Sequence, residues 1–497
     1  MKTKLLLFAI IFCFVFNGLQ AQVDVDDSLA LVDLYKSTNG KNWVVSTNWL
    51  TKKPVSTWWG IVVVNGRVGR IYLNGNSLSG PLPESLGDLD SLTHLQLSQS
   101  NLTGHLPSSI GNLGNLDFLD LSRTLINGDI PPGVGNLKKI RTFWIDDARL
   151  TGSIPDTLGS CSNLSYLIVS NNQLTGTLPA SFKKLSKLSQ LWVSYNKLSG
   201  TLPDVFAEEA PLADLEVSSN HFTGPFPFFV RRFSNLAFLF MGQNDFSGEI
   251  PAWVGQLKNL EYLDLASNQF SGRIPASFDS LTKIQELFLY DNHLTLDFNP
   301  NFSGRKNRTT TLLLHKNNLT FNGLEYFVRK YSTISYKPQA DIEVHHFQNK
   351  LSVSAGGTLS NNTYRWFQVG ESTPFTISGD STFQPTKSGR YYARITNSIV
   401  TGLTLKTDTL VYQMPSQKSI KIFVSPNPAR DRITLSGLDE KQDVKIAITD
   451  ASGYVWMKAM SRQQSAFRVD VSGLKAGNYL VSVVDGKDVR TVMFVKE

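Results

Sequence analysis

Aromatic and carboxylate side chains recur at corresponding positions along most of this chain, with a spacing of 24 residues. Aromatic rings stack on sugars and hold cations over their faces, and carboxylates bond to hydroxyl groups or pair with basic side chains. This combination favours ligand binding. The candidate ligand-binding residues are Tyr72, Trp144, Asp146, Tyr166, Trp192, Tyr195, Glu216, Phe240, Tyr262 and Asp264. The alternative is that these rings pack on one another as ladders along a sheet.

Catalytic motifs are missing around these residues. The sequence has no phosphate-binding loop, dinucleotide fingerprint, H-E-x-x-H or G-x-S-x-G in a suitable context. Glu216 and Asp264 resemble a glycosidase pair in type. They are expected two repeats apart on an open sheet, without a pocket that would raise the pKa of either. His345 and His346 are adjacent on a predicted strand and so face opposite ways. We therefore expect no enzyme activity, no cofactor and no metal.

The spacing comes from one phrase, L-x-x-L-x-L-x-x-N-x-L-x-G-x-[ILF]-P, which occurs nine times in succession. Its glycine recurs every 24 residues from Gly80 to Gly272, and a proline follows three residues later, from Pro83 to Pro275. A period of this length predicts a solenoid of stacked coils within the leucine-rich repeat range. Such a solenoid exposes one long sheet, whose usual use is binding.

Within one coil, the apolar positions predict the core and the asparagine predicts the turn. Leu164, Leu167, Val169 and Leu174 are expected to point inward. The amide of Asn172 is expected to bond backbone groups of its own and the neighbouring coil, which would otherwise be buried without partners.

Stacking the coils predicts a ladder of asparagines. Its rungs are Asn76, Asn172, Asn196, Asn220, Asn244, Asn268, Asn292 and Asn317. Three rungs depart from the pattern, at Ser100, Thr124 and Ala148. Serine and threonine supply part of the bonding, and alanine supplies none. We therefore expect a weaker ladder at Ala148, with faster amide exchange there than around Asn196.

Both ends of the solenoid carry atypical sequence, as terminal repeats must cap the core. Two degenerate units follow the ninth, so residues 68–336 are expected to hold about eleven repeats, and their strands to span roughly 48 Å. Residues 22–67 are expected to form the first cap. They combine a helix over Asp27 to Ser37 with a segment containing Trp43, Trp49, Trp58 and Trp59.

These units resemble the plant-type, extracellular leucine-rich repeat family. The cap sequence Trp59-Gly60-Ile61, then Arg67-Val68 and Ile71-Tyr72-Leu73, is similar to that family's N-terminal cap. The resemblance implies a parallel sheet on the concave face, an irregular or 3-10 convex face, and a binding role. The family's cap cysteine pair is missing here, and no kinase domain follows, so a receptor role is not implied.

Residues 1–21 have the composition of a signal peptide. Lys2 and Lys4 precede an apolar run, and Ala21 ends a small-residue cleavage site. Only Cys161 remains after cleavage, which excludes an internal disulfide in the exported chain. No membrane span is expected after cleavage. The net charge of +7 does not indicate a nucleic-acid partner.

Short alternating strands follow the repeats. Residues 337–413 are similar to an immunoglobulin-like β-sandwich. Trp366 would be the core tryptophan and Tyr391 the tyrosine corner, with Ala393 where the second cysteine usually lies. We expect a spacer role for this segment.

Residues 414–497 closely resemble the C-terminal sorting domain (type A) of the type IX secretion system of Bacteroidetes-type bacteria. The motifs that carry the resemblance are P-N-P-A, G-L-x-x-G-x-Y and a terminal F-x-K. The corresponding motif residues are Pro426, Asn427, Pro428, Gly473, Gly477 and Tyr479. The resemblance implies the outer-membrane secretion machinery as a partner, followed by release or attachment to the outer surface. The alternative is an ordinary terminal β-sandwich.

The fold expected is therefore a leucine-rich repeat solenoid followed by two all-β sandwich-like domains. The function expected is an exported, secreted or cell-surface binding protein that recognises a protein, peptide or glycan on its concave face. One alternative is a secreted inhibitor of an extracellular hydrolase. A less favoured alternative is a carbohydrate-active enzyme.

Overall fold

The computed structural model describes residues 23–296, 310–331, 333–347, 349–414, 421–438, 443–461, 465–485 and 488–497. The expected signal peptide, residues 1–21, lies outside the described residues. The chain forms two compact units, of which the first ends at Ala340 and the second begins at Asp341.

A sheet of 13 strands forms one face of the first unit. The first two strands are antiparallel, and every later neighbour is parallel. Each residue is paired to the one 24 or 25 positions further along, except that the last pair of strands has a spacing of 22. The sequence predicted eleven of these strands, and it missed one from the cap and one after the last repeat. In order they are Ile61–Val64, Arg67–Tyr72, His94–Gln96, Phe118–Asp120, Thr142–Trp144, Tyr166–Ile168, Gln190–Trp192, Asp214–Glu216, Phe238–Phe240, Tyr262–Asp264, Glu286–Phe288, Thr311–Leu313 and Thr333–Ser335.

The opposite, convex side carries one short 3-10 helix in most coils. These helices are Glu84–Asp88, Ser108–Asn112, Pro132–Asn136, Asp156–Ser160, Ala180–Lys184, Phe228–Arg232, Ala252–Gln256 and Ala276–Ser280. Each begins after a proline of the repeat, whose restricted φ suits a helix start. Gly111 shows why glycine recurs here, because a Cβ at that position would lie 2.3 Å from the backbone oxygen of Gly133.

A second row of strands lies beside the main sheet. Six of these strands form one parallel sheet: Thr175–Gly176, Lys197–Thr201, His221–Gly224, Asp245–Glu249, Gln269–Arg273 and His293–Thr295. Two further pairs join Ser79–Pro81 to Asn101–Thr103 and Asn127–Asp129 to Arg149–Thr151.

The asparagine ladder has the predicted bonding. Nδ2 of Asn172 donates to the backbone oxygens of Ile145 (2.8 Å) and Val169 (3.1 Å), and its Oδ1 accepts from the backbone N–H of Leu150 (2.9 Å). The predicted inward residues of that coil are fully buried. Ala148 leaves a gap, because the N–H of Ile126, in the corresponding position, has no partner among the described residues.

Tryptophans close the first end of the solenoid in place of a disulfide. The helix Val25–Ser37 begins two residues before the predicted one and packs against the 3-10 helices Gly40–Asn42 and Glu84–Asp88, while a further 3-10 turn, Val55–Thr57, contacts the strand Ile61–Val64. Trp43, Trp49 and Trp58 are buried, with ring centroids 4.8–4.9 Å apart along the series. Asp27, fully buried, accepts from Arg67 and from the N–H of Val68.

A helix, Phe321–Lys330, lies at the other end of the solenoid. Lys330 and Asp279, both mostly buried, form an ion pair of 2.5 Å there. This ion pair joins the terminal helix to the 3-10 helix Ala276–Ser280 of a preceding coil.

The second unit begins with two facing antiparallel sheets. One contains Val344–Phe347, Lys350–Val353 and Thr382–Phe383, and the other contains Asn362–Gln368, Phe375–Ser378, Gly389–Asn397, Thr404–Lys406 and Leu410–Tyr412. A short 3-10 turn, Leu359–Asn361, precedes Asn362–Gln368. Trp366 is fully buried and stacks on Phe383 of the facing sheet at 5.4 Å. The hydroxyl of Tyr391 donates to the backbone oxygen of Lys387 at 3.0 Å. The immunoglobulin-like assignment stays a prediction.

The last segment is a second sandwich. Its smaller sheet contains Phe423–Ser425, Arg432–Ser436 and Ala466–Asp470, and its larger sheet contains Val444–Asp450, Val455–Ser461, Gly477–Asp485 and Asp488–Lys496. Buried residues from both sheets form one hydrophobic core. The observed architecture is therefore the expected solenoid followed by two all-β domains.

Candidate ligand-binding surface

The concave face of the 13-strand sheet collects the candidate residues. In each three-residue strand the middle side chain is buried in the core, so the first and third face outward. Tyr166 and Tyr262 occupy first positions, and Asp146 and Tyr195 follow strand ends. The remaining six candidates are the last residues of their strands, at Tyr72, Trp144, Trp192, Glu216, Phe240 and Asp264.

The aromatic rings on this face divide into two groups. Tyr262 stacks on Phe238 at 5.1 Å and lies 6.3 Å from Phe240, and Tyr72 meets His94 edge-on at 6.4 Å. Each of these rings packs against a neighbouring ring along the sheet. The second group makes no ring contact among the described residues, and its members are Trp144, Tyr166, Trp192 and Tyr195.

The unstacked rings lie on three adjacent coils. Ile168 lies in register between Trp144 and Trp192 and is only 6% exposed, although it faces the concave side. Tyr166 and Tyr195 are 39% and 55% exposed. The central coils therefore present an apolar floor with free aromatic faces, which we call the central surface (residues 142–218 of the concave face).

Carboxylates border the central surface, and burial disfavours their charge. Burial raises the pKa of Asp214 to about 7 and that of Asp264 to about 6. The pKa of Glu216 is raised by the same cause, against a hydrogen bond from Ser194 to its Oε2 (3.0 Å). None of the three makes an ion pair among the described residues. No cluster of metal-ligating side chains is found in that part of the chain.

Asp146 differs from these carboxylates. Its Oδ1 accepts from Nε1 of Trp144 at 2.7 Å, and burial raises its pKa while Arg123 lowers it. The side chain of Trp144 is therefore held in place by a neighbour on its own coil.

Several buried polar atoms in the central surface have no hydrogen-bond partner. They are Oγ of Ser170, Nε1 of Trp192, Oδ1 of Asp214 and Oγ of Ser218. Asp214 is only 6% exposed. The indole of Trp192 lowers the pKa of Asp214, but the two atoms lie outside hydrogen-bond geometry. Buried polar atoms normally find partners, so this concentration marks a place where a ligand or ordered water completes the bonding.

Sequence reasoning missed Asp214, which shares its strand position with Tyr166 and Tyr262. That shared position was the signal that could have identified it. The expectation that nothing would raise the pKa values of Glu216 and Asp264 was wrong, because partial burial raises both.

The sorting-motif residues hold the two ends of the last domain together. The side chain of Asn427 accepts from the N–H of Val495 (2.8 Å) and donates to the backbone oxygen of Met493 (3.2 Å). Tyr479 stacks on Phe494 at 5.6 Å, and its hydroxyl donates to the backbone oxygen of Lys475. Pro426 and Pro428 flank Asn427, Gly477 begins the strand that contains Tyr479, and Gly473 lies in the preceding exposed turn.

Two family models match separate parts of the chain. A model described as a leucine-rich repeat region matches residues 72–302. Residues 72–302 are a leucine-rich repeat region. A model described as a secretion system C-terminal sorting domain matches residues 423–497. This domain indicates type IX secretion, so the protein is secreted or attached to the outer surface of the outer membrane. No curated protein matches the sequence.

Solved structures resemble the leucine-rich repeat region. The ectodomain of a plant membrane receptor kinase from Arabidopsis thaliana, GASSHO1/SCHENGEN3 in complex with CASPARIAN STRIP INTEGRITY FACTOR 2, is 29% identical with a TM-score of 0.57. That match covers 62% of this chain and 38% of the ectodomain. A TDR receptor is 27% identical with a TM-score of 0.50, covering 55% and 48%. This chain thus spans less than half the length of either receptor.

A plant ice-binding protein is 23% identical with a TM-score of 0.50, covering 64% of this chain and 97% of that one, and it shows the fold alone. Such folds are typical of binding proteins. Within the described residues, no helix has both the length and the apolar character needed to cross a bilayer.

Proposed function

We propose that the protein is an exported binding protein whose concave face holds a basic peptide, or a basic segment of a protein, in extended form. The ligand would cross the central surface at Trp144 and Trp192 and meet the carboxylates of Asp214, Glu216 and Asp264. The observation that carries this proposal is the concentration of unpartnered buried polar atoms beside these carboxylates.

Charge favours a basic ligand. Asp214 is buried and Glu216 and Asp264 are half-buried, burial raises the pKa values of all three, and no cation among the described residues pairs with them. A lysine or arginine placed beside them would stabilise their ionised forms, and the lower local dielectric would strengthen this attraction against the cost of partly desolvating the cation. The same cation would lie within reach of Trp192, whose ring has no other ring partner, and gain a cation–π contact.

A glycan is the second candidate, and the free ring faces of Trp144 and Trp192 favour it. Sugar rings stack on such faces, and sugar hydroxyls would satisfy Nε1 of Trp192 and Oδ1 of Asp214. A neutral glycan would nevertheless leave the buried carboxylates without a compensating charge. Basic peptides therefore fit this surface better.

The test is a binding screen of the full chain against peptide and glycan arrays, with hits measured by calorimetry. We expect lysine- and arginine-rich peptides to bind, with an affinity that falls as ionic strength rises. Trp192→Ala and Asp214→Asn should each weaken binding about tenfold, since each removes an interaction worth about 1–2 kcal/mol. Trp253→Ala and Glu249→Gln, which lie away from the concave face, are the matched controls.

Retention of full affinity in both concave-face variants would refute the proposed site. A neutral glycan bound in preference to basic peptides, and lost in Trp192→Ala, would replace the peptide with the glycan as ligand class.

A further inference from the structure

A pocket of about 490 Å³ lies at the edge of the concave sheet where the early strands begin. It is lined by residues that lie in or just before five successive strands, including Arg70, His94, Asp117, Lys139 and Arg141. The pocket is separate from the central surface and shares none of its unpartnered atoms. Sequence reasoning did not identify it, because its cationic residues come from different positions of the repeat.

The pocket is positively charged. It brings together three cationic side chains and one carboxylate, Asp117, which pairs with the guanidinium of Arg141 through two hydrogen bonds. Arg70 is exposed and makes no ion pair in the described part of the chain. Nζ of Lys139 donates to Oδ1 of Asn115 at 2.7 Å and keeps its charge uncompensated. The field in the pocket therefore favours an anion.

The side chain of His94 is held in place in the lining of this pocket. Its ring stacks on Phe118 with centroids 5.9 Å apart, and its Nδ1 lies 3.0 Å from Oγ1 of Thr93. Burial, Arg70 and Arg141 lower the pKa of His94, and Asp117 opposes them. Because Nδ1 is engaged by Thr93, Nε2 is the nitrogen that remains for a ligand.

We infer that this pocket binds an anionic group of the ligand, in the carboxylate, sulfate or phosphate class, through Arg70, His94 and Lys139. Arginine, lysine and histidine donate the charge-assisted hydrogen bonds that such oxyanions accept. Arg141 is already paired with Asp117, so we assign it to the edge of the pocket rather than to the anion.

The inference deepens the proposed function, on which its peptide arm rests. Neighbouring strands of the sheet lie ~4.8 Å apart. The strand that follows Arg141 is three strands from the strand of Asp214, which is about 14 Å. The strand of His94 is five strands from the strand of Asp214, which is about 24 Å. An extended peptide rises about 3.3 Å per residue. The ligand would thus carry its acidic group about four to seven residues from the basic residue that meets Asp214.

The first experiment measures the titration of His94 in the full chain by NMR with labelled histidine, using His94→Gln to assign the signal. Sodium sulfate, phosphate or acetate is compared with sodium chloride at matched ionic strength. We expect an oxyanion to raise the pKa of His94, because it stabilises the imidazolium. His105, exposed on another part of the solenoid, should not respond. Comparing the three salts distinguishes a carboxylate from sulfate and phosphate.

Arg70→Gln should raise the half-saturating anion concentration about tenfold, because it removes a charge-assisted hydrogen bond. Equal responses of His94 and His105, or an unchanged anion titration in Arg70→Gln, would overturn the inference. The second experiment compares two peptides that differ only in a glutamate or glutamine five residues from a lysine. A positive anion titration with neither peptide bound would refute the proposed peptide ligand while leaving the anion site intact.

Discussion

Removing one rung of the asparagine ladder should destabilise the solenoid by an amount that follows from its hydrogen bonds. Nδ2 of Asn196 donates to three backbone oxygens, including those of Val169 and Val193, and its Oδ1 accepts from the N–H of Leu174 at 2.9 Å. In Asn196→Ala the first two oxygens keep a bond from the neighbouring rung, Asn172 or Asn220. The N–H of Leu174 loses its partner. One orphaned buried donor plus the weakened carbonyl bonds predict a loss of about 2–4 kcal/mol.

Thermal unfolding and amide exchange of the full chain measure this effect. A loss of this size should lower the melting temperature by roughly 5–10 °C in a domain of this length. The amide of Leu174 should exchange faster in the variant, and in the unaltered protein the amide of Ile126, beside Ala148, should exchange faster than that of Leu174.

The reverse change tests the same reasoning. Ala148→Asn would give the N–H of Ile126 an acceptor and should stabilise the protein by about 1 kcal/mol. Gln173→Ala, at an exposed position of a neighbouring coil, is the control and should change stability by less than about 0.5 kcal/mol. If Asn196→Ala is no more destabilising than this control, the ladder does not stabilise the coils as argued.

Four further predictions follow from particular residues. In the folded protein the pKa of Asp214 is raised to about 7, so folding favours the protonated carboxyl. The contribution of Asp214 to the free energy of unfolding is therefore present at acidic pH and is lost as the pH rises from about 4 to 7. Asp214→Asn should flatten the curve of stability against pH over that window. Burial raises the pKa of Cys161 to about 11, so mass spectrometry should find it unalkylated by iodoacetamide at pH 8 until the protein unfolds; rapid native labelling would contradict its burial. Asp27→Ala leaves Arg67 without its buried partner and should lower the free energy of unfolding by about 3 kcal/mol, measured by urea denaturation. Deleting residues 418–497 should leave the protein in the periplasm, and surface exposure of the truncated form by protease accessibility would refute the sorting role.

The repeat and its core could be predicted from the sequence because every coil meets nearly the same environment. A fixed period places Leu167 against Phe143 and Leu191 of the flanking coils, so one unit predicts the packing of the rest. The asparagine ladder follows from the same regularity. The helix Val25–Ser37 and the tryptophans of the cap were also identifiable from local pattern and composition.

The sequence by itself determined the solenoid, the face on which the candidate residues lie, and the sorting domain. Only the tertiary structure decided which of those residues are available to a ligand. Phe238 stacks on Tyr262, whereas no ring stacks on Trp192 among the described residues. The difference depends on which side chain lies on the neighbouring coil. Likewise, neighbouring coils exclude water from Asp214 and bring Arg70 and Lys139 into one pocket. Residues separated by many positions in the chain become neighbours because adjacent coils lie about 5 Å apart. Residue type sets what a side chain can bind, and packing sets its exposure, its charge and its partners.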